Sequence, residues 1–453
     1  MLHEKAAEAY EAKMANIPSR VVLRTAANPT NKESGDVYIK ATYGPENIIP
    51  GTLREYGVDY KGKTTACYFE SLDGLVGVVG EDHETLVTVA HRIANDKAYR
   101  DSLSTEFVYR LSIDWVQARV ANAATTPQKF MEFIDSAALK AVKRHEVWLP
   151  IPIVTIPKPF RIGWVTFRRV TEAMMNDYAK TYSETDPDAK FAFNRLRSRI
   201  QGITAACVAV NAEPIRGKEI AYQKAEDAIC ILRLACPSMV NPHEWAPLDP
   251  SFFDRPTQMA LQVQNMKIVG QTRSAYPQML HQWLVNSDEV DSNLKGIWAC
   301  GHNLIISKRN EFQNILLGAA IHLSKSILKP DLAERLLYVV TALEAIFVKD
   351  STENIVQNLR ERMAILSGPG KDERLRKRDM IPKIYQLRSD FVHRGIGLND
   401  ISLLEDFFFE ALTTLQFLLH NYKKWRTKAD FLKCLDDYKF AAPEFDTEGM
   451  PDV

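Results

Sequence analysis

Paired cysteines are missing from this sequence. Its six cysteines are scattered over 453 residues, with no CxxC motif and no zinc-like spacing. Zinc sites and redox motifs need closely spaced cysteines, and small secreted domains use a denser disulfide framework. We therefore expect reduced thiols in a cytoplasmic protein. Cys230 and Cys236 fall within a helical pattern, which indicates small core residues.

Long apolar runs and an excess of charge of one sign are missing too. The longest apolar stretches, near residues 202–212 and 315–328, are too short or too interrupted to span a bilayer, and the charged start MLHEKAAEAYEAKM is unlike a secretory leader. We expect no membrane association. Because 57 basic residues match 57 acidic ones, RNA binding would need a local basic patch rather than an overall positive field.

Motifs of common enzyme classes are absent or stand in an unsuitable context. The sequence contains no HExxH, GxSxG or kinase-type set. Residues 57–64 match the phosphate-loop pattern GxxxxGK(S/T), but the strand-like TACYFES that follows predicts a hairpin with its turn near residues 61–63. His83 and His91 are not spaced as a standard ligand pair, so we expect both on the surface. The sequence predicts neither a metal nor a cofactor.

The first part of the chain has the pattern of a β-rich domain. Its length exceeds that of one typical core, and 46% hydrophobic with 25% charged residues is an ordinary globular composition. Residues 19–80 contain short β-branched and aromatic runs cut by turn residues, which predict hairpins. A helix is expected near residues 84–100, followed by extended segments in EFVYRLSIDWVQARV, HEVWLPIPIVTI and FRIGWVTFRRVT. We assign residues 1–185 to a β-rich N-terminal sensor or specificity domain.

The hydrophobic period changes to 3.6 from about residue 188. FAFNRLRSRIQGITAACVAV and EIAYQKAEDAICILRLA predict a pair of amphipathic helices, and the proline- and aromatic-rich residues 237–300 predict an insertion or long connection. Five helices fit the remainder: 308–328, 331–349, 353–367, 377–394 and 400–425. The predicted fold class is therefore α+β, with a helical middle region over 186–304, a helical bundle over 305–428 and a C-terminal tail over 429–453.

Three segments of the bundle, DLAERLLYVVTALEAIF, NLRERMAILSG and IYQLRSDFVHRG, carry a resemblance to a known family. Together they closely resemble the HEPN superfamily, specifically the branch with ApeA-like C-terminal domains from bacterial antiviral defence. The resemblance covers residues 305–425, about a quarter of the chain. HEPN proteins share a bundle of four or five helices and a motif of Arg, four to six residues, then His. In this sequence the motif residues are Arg388 and His393.

The resemblance implies metal-independent RNA cleavage, usually by two bundles paired so that two Arg/His sets face one groove. A 2′-hydroxyl must then lose a proton and a 5′-oxygen must gain one, and histidine can do either. A guanidinium is a planar charged fork that suits phosphate. We therefore expect a homodimer in which Arg388 binds phosphate and His393 transfers protons, supported by Glu344, Ser389 and Asp390.

Arg388 lies on the apolar side of its predicted helix. At 100° per residue, six apolar residues form one arc with Arg388 in its middle: Ile381, Ile384, Tyr385, Leu387, Phe391 and Val392. A charged side chain in such a place needs a partner. Glu344 lies on the apolar face of the predicted 331–349 helix. The alternative to catalysis is that Arg388 and Glu344 form a buried structural pair.

His393 follows Arg388 by five residues, which is about 140° round an ideal helix, so the two side chains do not stack. Either the helix unwinds towards Gly395, or the arginine of one subunit works with the histidine of the other. A lone surface histidine is the remaining alternative.

Local positive charge is present around the motif helix. We predict that five residues hold RNA phosphates: Arg374, Arg376, Lys377, Arg378 and Arg394. Charge clusters on helix ends are also typical of solvated faces.

The resemblance also implies a setting. The expected role is a ribonuclease toxin of bacterial anti-phage defence, which cleaves RNA such as tRNA, arrests growth in an abortive infection and responds to a phage protein. The alternative from another class is a non-catalytic HEPN module that dimerises or binds a protein partner, with Arg388 serving structure only.

Overall fold

The computed structural model describes residues 4–24, 37–41, 54–58, 61, 63–71, 74–121, 129–180, 187–253, 257–264, 267–275, 280, 282–285, 292–350, 352–366, 370–395, 397–398 and 400–440. The chain is mixed α+β, with an N-terminal sheet followed by helices, as the sequence predicts. It divides into two compact units. Unit 1 comprises Met1–Val147 and Ala209–Tyr222, and unit 2 comprises Trp148–Val208 and Gln223–Val453. The predicted boundaries at residues 185 and 304 both lie within unit 2.

Before residue 147, the described part of unit 1 contains one antiparallel sheet and four α-helices. The strands are β1 (Val22–Arg24), β2 (Val37–Ala41), β3 (Arg54–Val58), β4 (Thr64–Ser71) and β5 (Gly74–Val79), in the order β1-β5-β4-β3-β2. The helices are α1 (Glu4–Met14), α2 (Gly80–Asn95), α3 (Thr105–Val120) and α4 (Phe130–Ala141). Apolar residues of β4 and β5 form one core with those of the helices. The predicted hairpins and the predicted helix near residues 84–100 are confirmed.

The phosphate-loop pattern at residues 57–64 belongs to a hairpin. Gly57 lies in β3 opposite Ala66 of β4, and the two strands are antiparallel. A phosphate loop must instead open a helix, whose N-terminal amides hold the phosphate. The predicted hairpin is therefore confirmed.

The segment EFVYRLSIDWVQARV, predicted as extended, is helix α3. Ser104 caps it by accepting a hydrogen bond from the Phe107 amide at 3.0 Å. Val108, Leu111 and Trp115 are buried, at the spacing of three and four residues that places them on one helix face. Packing in the core overrides the β propensity of the aromatic and β-branched residues.

Glu213 joins the later segment of unit 1 to the earlier one. Its buried carboxylate accepts a hydrogen bond from the Ser104 amide at 3.0 Å, and its amide donates to the Ser102 carbonyl at 2.8 Å. The same carboxylate accepts from the Ile215 and Arg216 amides at 2.8 and 2.7 Å. Residues 209–222 are therefore an integral part of the unit.

The remaining strands and helices follow from residue 143. The strands are β6 (Lys143–Ile151), β7 (Val154–Thr155), β8 (Phe160–Ile162), β9 (Val165–Arg169), β10 (Thr204–Ala212), β11 (Thr257–Gln264), β12 (Lys267–Ala275) and β13 (Trp283–Leu284). The helices are α5 (Glu172–Ala179), α6 (Pro187–Ile200), α7 (Pro214–Arg233), α8 (Ser292–Ile306), α9 (Glu311–Lys325), α10 (Leu332–Phe347), α11 (Ile355–Ile365), α12 (Lys371–Arg394), α13 (Ile401–His420) and α14 (Lys428–Phe440). Four strands form a sheet in the order β6-β10-β9-β8, β11 pairs with β12, and β13 pairs with β7.

The predicted helix over FAFNRLRSRIQGITAACVAV is only half correct. Helix α6 ends at Ile200, and Gly202 has a positive φ of 87° that turns the chain into strand β10. Most of β10 is buried. A short apolar run that is buried on both faces has no period that distinguishes a strand from a helix.

The five predicted bundle helices are confirmed as α9 to α13, although α12 begins earlier than predicted, at Lys371. Four of them begin with side-chain caps, from Asn310, Asp331, Asn354 and Asp400. The predicted tail begins instead with α14, whose Phe431, Leu432 and Leu435 are buried. Residues 441–453 lie outside the described part of the chain.

A buried arginine attaches an irregular segment to the bundle. Arg335 of α10 is 1% exposed. It donates hydrogen bonds to the carbonyl oxygens of Asn241, Pro242 and Glu244 at 3.3, 3.2 and 2.9 Å, and also to that of Ser238. The Asn241 carbonyl also accepts from the Glu244 amide at 3.3 Å, whereas Arg335 is the donor to the other three.

Candidate functional site

Arg388 lies on α12 with its guanidinium unpaired. Its side chain is half-buried, and within the described residues it forms neither a hydrogen bond nor an ion pair. Its Nε atom is fully buried and has no hydrogen-bond partner. Ile381 and Ile384, on the same helix face, are fully buried. A half-buried guanidinium without an ion pair can bind an anion from outside.

Tyr385 bonds to Glu344, the carboxylate that the structural alternative pairs with Arg388. The Tyr385 hydroxyl donates a hydrogen bond to Glu344 Oε1 of α10 at 2.7 Å. Burial, and then this hydrogen bond to Glu344, raise the pKa of Tyr385, whereas the charge of nearby Arg388 lowers it. Among the described residues no ion pair joins Arg388 to Glu344, so the structural pair considered as an alternative is not observed. Sequence reasoning placed Tyr385 on this face but gave it no role.

His393 is exposed and is the second-to-last residue of α12. The helix continues through Arg394, and Gly395 then ends it in the left-handed conformation, with φ 65° and its amide donating to the Phe391 carbonyl at 3.0 Å. The helix therefore does not unwind before His393, and the side chains of Arg388 and His393 leave it about 140° apart. Of the two arrangements considered, the one that combines two subunits is compatible with this geometry.

The two residues after Arg388 differ in their contacts. Asp390 accepts a hydrogen bond from Gln386 Nε2 at 2.9 Å and pairs with Arg394 at 3.1 Å. Ser389 is half-buried. Within the described residues neither forms a hydrogen bond or ion pair with Arg388 or His393, so their supporting role stays a prediction.

Two of the five predicted RNA-binding residues are bound to one buried carboxylate. Lys377 lies 2.5 Å from Glu410 of α13 and 3.6 Å from Glu373, and its side chain is almost fully buried. Arg376 also pairs with Glu410, and it lies 3.8 Å from Asp406. These cations are largely neutralised by the bundle itself.

The other three also have partners within the chain. Arg374 donates to the Tyr438 hydroxyl at 3.1 Å and lies 5.6 Å from the centre of that ring. Arg378 pairs with Asp379 at 3.0 Å, and Arg394 pairs with Asp390. RNA binding by the five residues stays a prediction, and most of their charge is already opposed locally.

Unit 1 contains a buried histidine that the sequence placed on the surface. His83 of α2 is 2% exposed, so that prediction was wrong, whereas His91 is exposed. His83 Nε2 lies 2.9 Å from the Tyr109 hydroxyl, and its Nδ1 has no hydrogen-bond partner among the described residues. Burial lowers the pKa of His83 to about 4, so the imidazole is neutral at pH 7. The spacing of His83 from the buried Leu86 and Ala90, three and seven residues on, was the signal for burial.

His83 lines a cavity of about 890 Å³ within unit 1. Polar residues of α2, α3 and the sheet line it as well: Tyr56, Lys63, Glu84, Tyr109 and Arg110. Lys63 pairs with Glu84 at 3.0 Å, and Arg110 pairs with Glu106. The volume is that of a small-molecule site, although the charges that line it are already paired.

The described residues contain neither a candidate metal-binding group nor a helix suited to span a membrane. In that part of the chain, no group of three or more His, Cys, Asp or Glu side chains is placed to hold a metal ion. None of the helices there is both long and apolar enough to cross a membrane.

Comparison with known proteins gave no assignment: no protein-family model, curated protein or solved structure matches the chain. The resemblance to HEPN proteins therefore depends on the residues of the three bundle segments alone.

Proposed function

We propose that helices α9 to α14 form a HEPN-type, metal-independent endoribonuclease. The observation that carries the proposal is the half-buried Arg388 guanidinium, which forms no ion pair within the described residues. A phosphodiester is the ligand that best suits such a group, because its two free oxygens accept parallel hydrogen bonds from the guanidinium fork. Tyr385 supports this role because its hydroxyl bonds to Glu344, the carboxylate that the structural alternative pairs with Arg388.

The proposed reaction needs no water and no metal in its first step. The 2′-oxygen attacks phosphorus and loses its proton to a base, the bond from phosphorus to the 5′-oxygen breaks, and an acid protonates that oxygen. The products are a 2′,3′-cyclic phosphate and a 5′-hydroxyl. His393 is the proposed proton-transfer residue in both roles: its imidazole accepts the 2′-hydroxyl proton, and the imidazolium so formed gives a proton to the departing 5′-oxygen. Its exposed position at a helix end is compatible with this role. Arg388 would stabilise the charge that builds on the phosphoryl oxygens.

We further propose that the active form is a homodimer in which Arg388 of one copy works with His393 of the other. The support is the continuous helix α12, which separates the two side chains by about 140° within one copy. By resemblance, the setting is the bacterial cytoplasm, where a phage protein raises a basal rate of RNA cleavage and growth stops.

Cleavage of total tRNA by the purified full-length protein in the presence of EDTA tests the proposal. We expect cleavage by the wild type and by His91→Ala, a control at an exposed histidine of unit 1, but none by His393→Ala or Arg388→Ala. Equal cleavage by His393→Ala would remove the catalytic assignment, and cleavage abolished by EDTA would indicate a metal enzyme.

Mixing the two inactive variants tests the arrangement across subunits. In a heterodimer of Arg388→Ala with His393→Ala, one of the two composite sites is intact and the other lacks both groups. Random exchange should therefore restore about a quarter of wild-type activity, because half of the dimers are mixed and each has one working site. No recovery after demonstrated subunit exchange would refute the arrangement.

A second candidate function is non-catalytic dimerisation or partner binding through the bundle. Exposed apolar side chains favour it: Val392 of α12 and Phe409 and Phe417 of α13 are 48%, 54% and 43% exposed. Phe409 and Phe417 are eight residues apart and share one helix face. This function would account for a protein that self-associates through these residues but cleaves no RNA in the assay above.

A further inference from the structure

We propose that the cavity of unit 1 binds a small organic cation, an amine carried on an apolar or aromatic body. The cavity has a volume of about 890 Å³, within the range of pockets that hold small molecules. It lies wholly in unit 1. Binding there is independent of RNA cleavage by the bundle.

Two helices build most of the cavity wall. Helix α2 contributes residues 83, 84, 87 and 88, and helix α3 contributes residues 105, 106, 109 and 110. Steps of one, four and five residues place each set on one side of its helix. Tyr56 of β3, Thr64 of β4 and Glu219 of the later segment also line the cavity. The site is therefore formed mainly by regular elements, which hold side chains more precisely than loops do.

The wall offers aromatic and apolar surface to a ligand. Tyr56, His83 and Tyr109 contribute rings, and Val87 is 42% exposed. The rings of His83 and Tyr109 meet edge-on, with 5.8 Å between their centroids. The face of a tyrosine ring attracts cations and packs against apolar groups. This surface suits an apolar or aromatic body that carries a positive charge.

Carboxylates outnumber cations in the described wall. Glu84, Glu106 and Glu219 line it, and the cations there are Lys63 and Arg110. An anionic ligand such as a nucleotide would therefore meet an excess of negative charge, whereas a cation is favoured by it. The described residues offer no group of side chains placed to bind a metal ion. The charge of the wall thus favours an organic cation over a phosphate or a metal.

The ion pairs of the wall are compatible with this ligand. Lys63 and Glu84 pair at 3.0 Å, but their side chains are 65% and 63% exposed. An exposed pair contributes little to stability, so a ligand ammonium can share the carboxylate. Glu219 pairs at 2.7 Å with Arg216, which is not part of the described wall. The positive charge of Arg216 is therefore outside the cavity.

His83 is an independent observation in favour of a ligand. It is 2% exposed, and its Nδ1 has no hydrogen-bond partner among the described residues. A buried polar atom without a partner is uncommon in folded proteins and calls for an explanation. Because His83 lines the cavity, a ligand ammonium there would supply a donor that the protein does not. Burial lowers the pKa of His83 to about 4, so at pH 7 the imidazole carries no charge that would repel a cation.

Three probes of similar shape and different charge test the site on the full-length protein: 2-phenylethylamine, 2-phenylethanol and 3-phenylpropionate. Ligand-observed NMR titrations at pH 7 and low salt give their affinities. We expect a Kd of about 1 mM or below for the amine. The alcohol should bind at least about fivefold more weakly, and the acid more weakly still.

A bulky substitution tests where the amine binds. Val87→Trp fills the cavity from α2, whereas Asn95→Trp adds the same side chain at an exposed position two turns further along that helix, outside the described wall. We expect Val87→Trp to weaken amine binding by roughly tenfold or more and Asn95→Trp to leave it within about twofold of the wild type. A melting temperature close to that of the wild type shows that each variant is folded.

A charge substitution tests why the amine is preferred. Glu219→Gln removes one carboxylate from the wall, and Glu132→Gln of α4 is the matched control. Both carboxylates are exposed, and each pairs with a cation three residues earlier in the chain. We expect Glu219→Gln to weaken amine binding by about threefold without changing that of the alcohol, and Glu132→Gln to change neither.

Two sets of results would overturn the proposal. Absence of binding by all three probes at about 10 mM, or amine binding unchanged in Val87→Trp, would refute the site. Equal binding of amine and alcohol, tightest binding of the acid, or amine binding unchanged in Glu219→Gln would refute the preference for a cation. RNA cleavage is measured separately, so failure of the nuclease proposal leaves this one standing, and the reverse also holds.

Discussion

Removal of the Tyr385 hydroxyl should redirect Glu344 to Arg388. In the folded chain Tyr385 donates to Glu344 at 2.7 Å, and Arg388 is close enough for its charge to act on the Tyr385 pKa. In Tyr385→Phe the Glu344 carboxylate loses this donor, and we expect it to bond instead to Arg388, which forms no ion pair within the described residues. We expect the new ion pair to withdraw Arg388 from phosphate and to lower cleavage.

The size of the effect follows from the bond that is lost. A hydrogen bond to a charged group contributes about 1.5–3 kcal/mol, and partial exposure of both residues places this one near the lower end. The new pair with Arg388 offsets part of that loss. We therefore expect Tyr385→Phe to lower the free energy of unfolding by about 1 kcal/mol in urea. Tyr222→Phe is the control, because this exposed tyrosine has no described hydrogen bond and should change stability by less than about 0.5 kcal/mol.

The double variant Tyr385→Phe/Glu344→Gln tests whether Glu344 causes the loss of cleavage in Tyr385→Phe. A neutral amide cannot hold Arg388 as a carboxylate does, so cleavage should recover relative to Tyr385→Phe alone. The two changes should also be non-additive in urea unfolding, with a coupling of about 1 kcal/mol. If the double variant is no more active than Tyr385→Phe, and the changes add within about 0.3 kcal/mol, the proposed competition for Glu344 is refuted.

Two further predictions concern stability. Burial lowers the pKa of His83 to about 4, below its unfolded value of about 6.5, so the unfolded chain binds the proton first as pH falls. The contribution of His83 to stability is present above about pH 6.5 and should decline by roughly 2–3 kcal/mol by about pH 4.5. His83→Gln should remove that part of the pH dependence in urea unfolding, and an unchanged profile would contradict it. Arg335→Met should lower the free energy of unfolding by about 3–5 kcal/mol, because it leaves several buried carbonyls without a donor; Arg378→Met, whose only described ion pair is with its neighbour Asp379, should cost less than about 1 kcal/mol.

The bundle helices were predictable because local signals agree with packing. The apolar residues of α10 recur at helical spacing, and Asp331 caps the helix by accepting from the Glu334 amide. Helix α3 and strand β10 were not predictable in the same way. In α3 the β-forming side chains are overruled by a core assembled from distant parts of unit 1. In β10 the first five residues are all buried, so this half of the strand lacks the alternation that identifies a strand.

Only those features of the candidate site that depend on a single helix could be predicted from the sequence. The phase of α12 placed Arg388 among Ile381 and Ile384, and the structure has both of these buried. Whether Tyr385 or Arg388 bonds to Glu344 depends on how α10 and α12 are placed, which the sequence of either helix does not determine. The hydrogen bond from Tyr385 to Glu344 could therefore not be predicted. The neutralisation of Lys377 likewise depends on Glu410, which another helix supplies.

The position of Glu213 has a consequence for how the protein is made. Residues 209–222 are part of unit 1, but the ribosome must translate residues 148–208, which belong to unit 2, before them. Until then the Ser104 amide lacks the buried carboxylate that it bonds to in the finished protein. Unit 1 can therefore fold completely only after residue 222 has left the ribosome. A fragment that stops at residue 185 would lack the Glu213 carboxylate and the rest of this later segment.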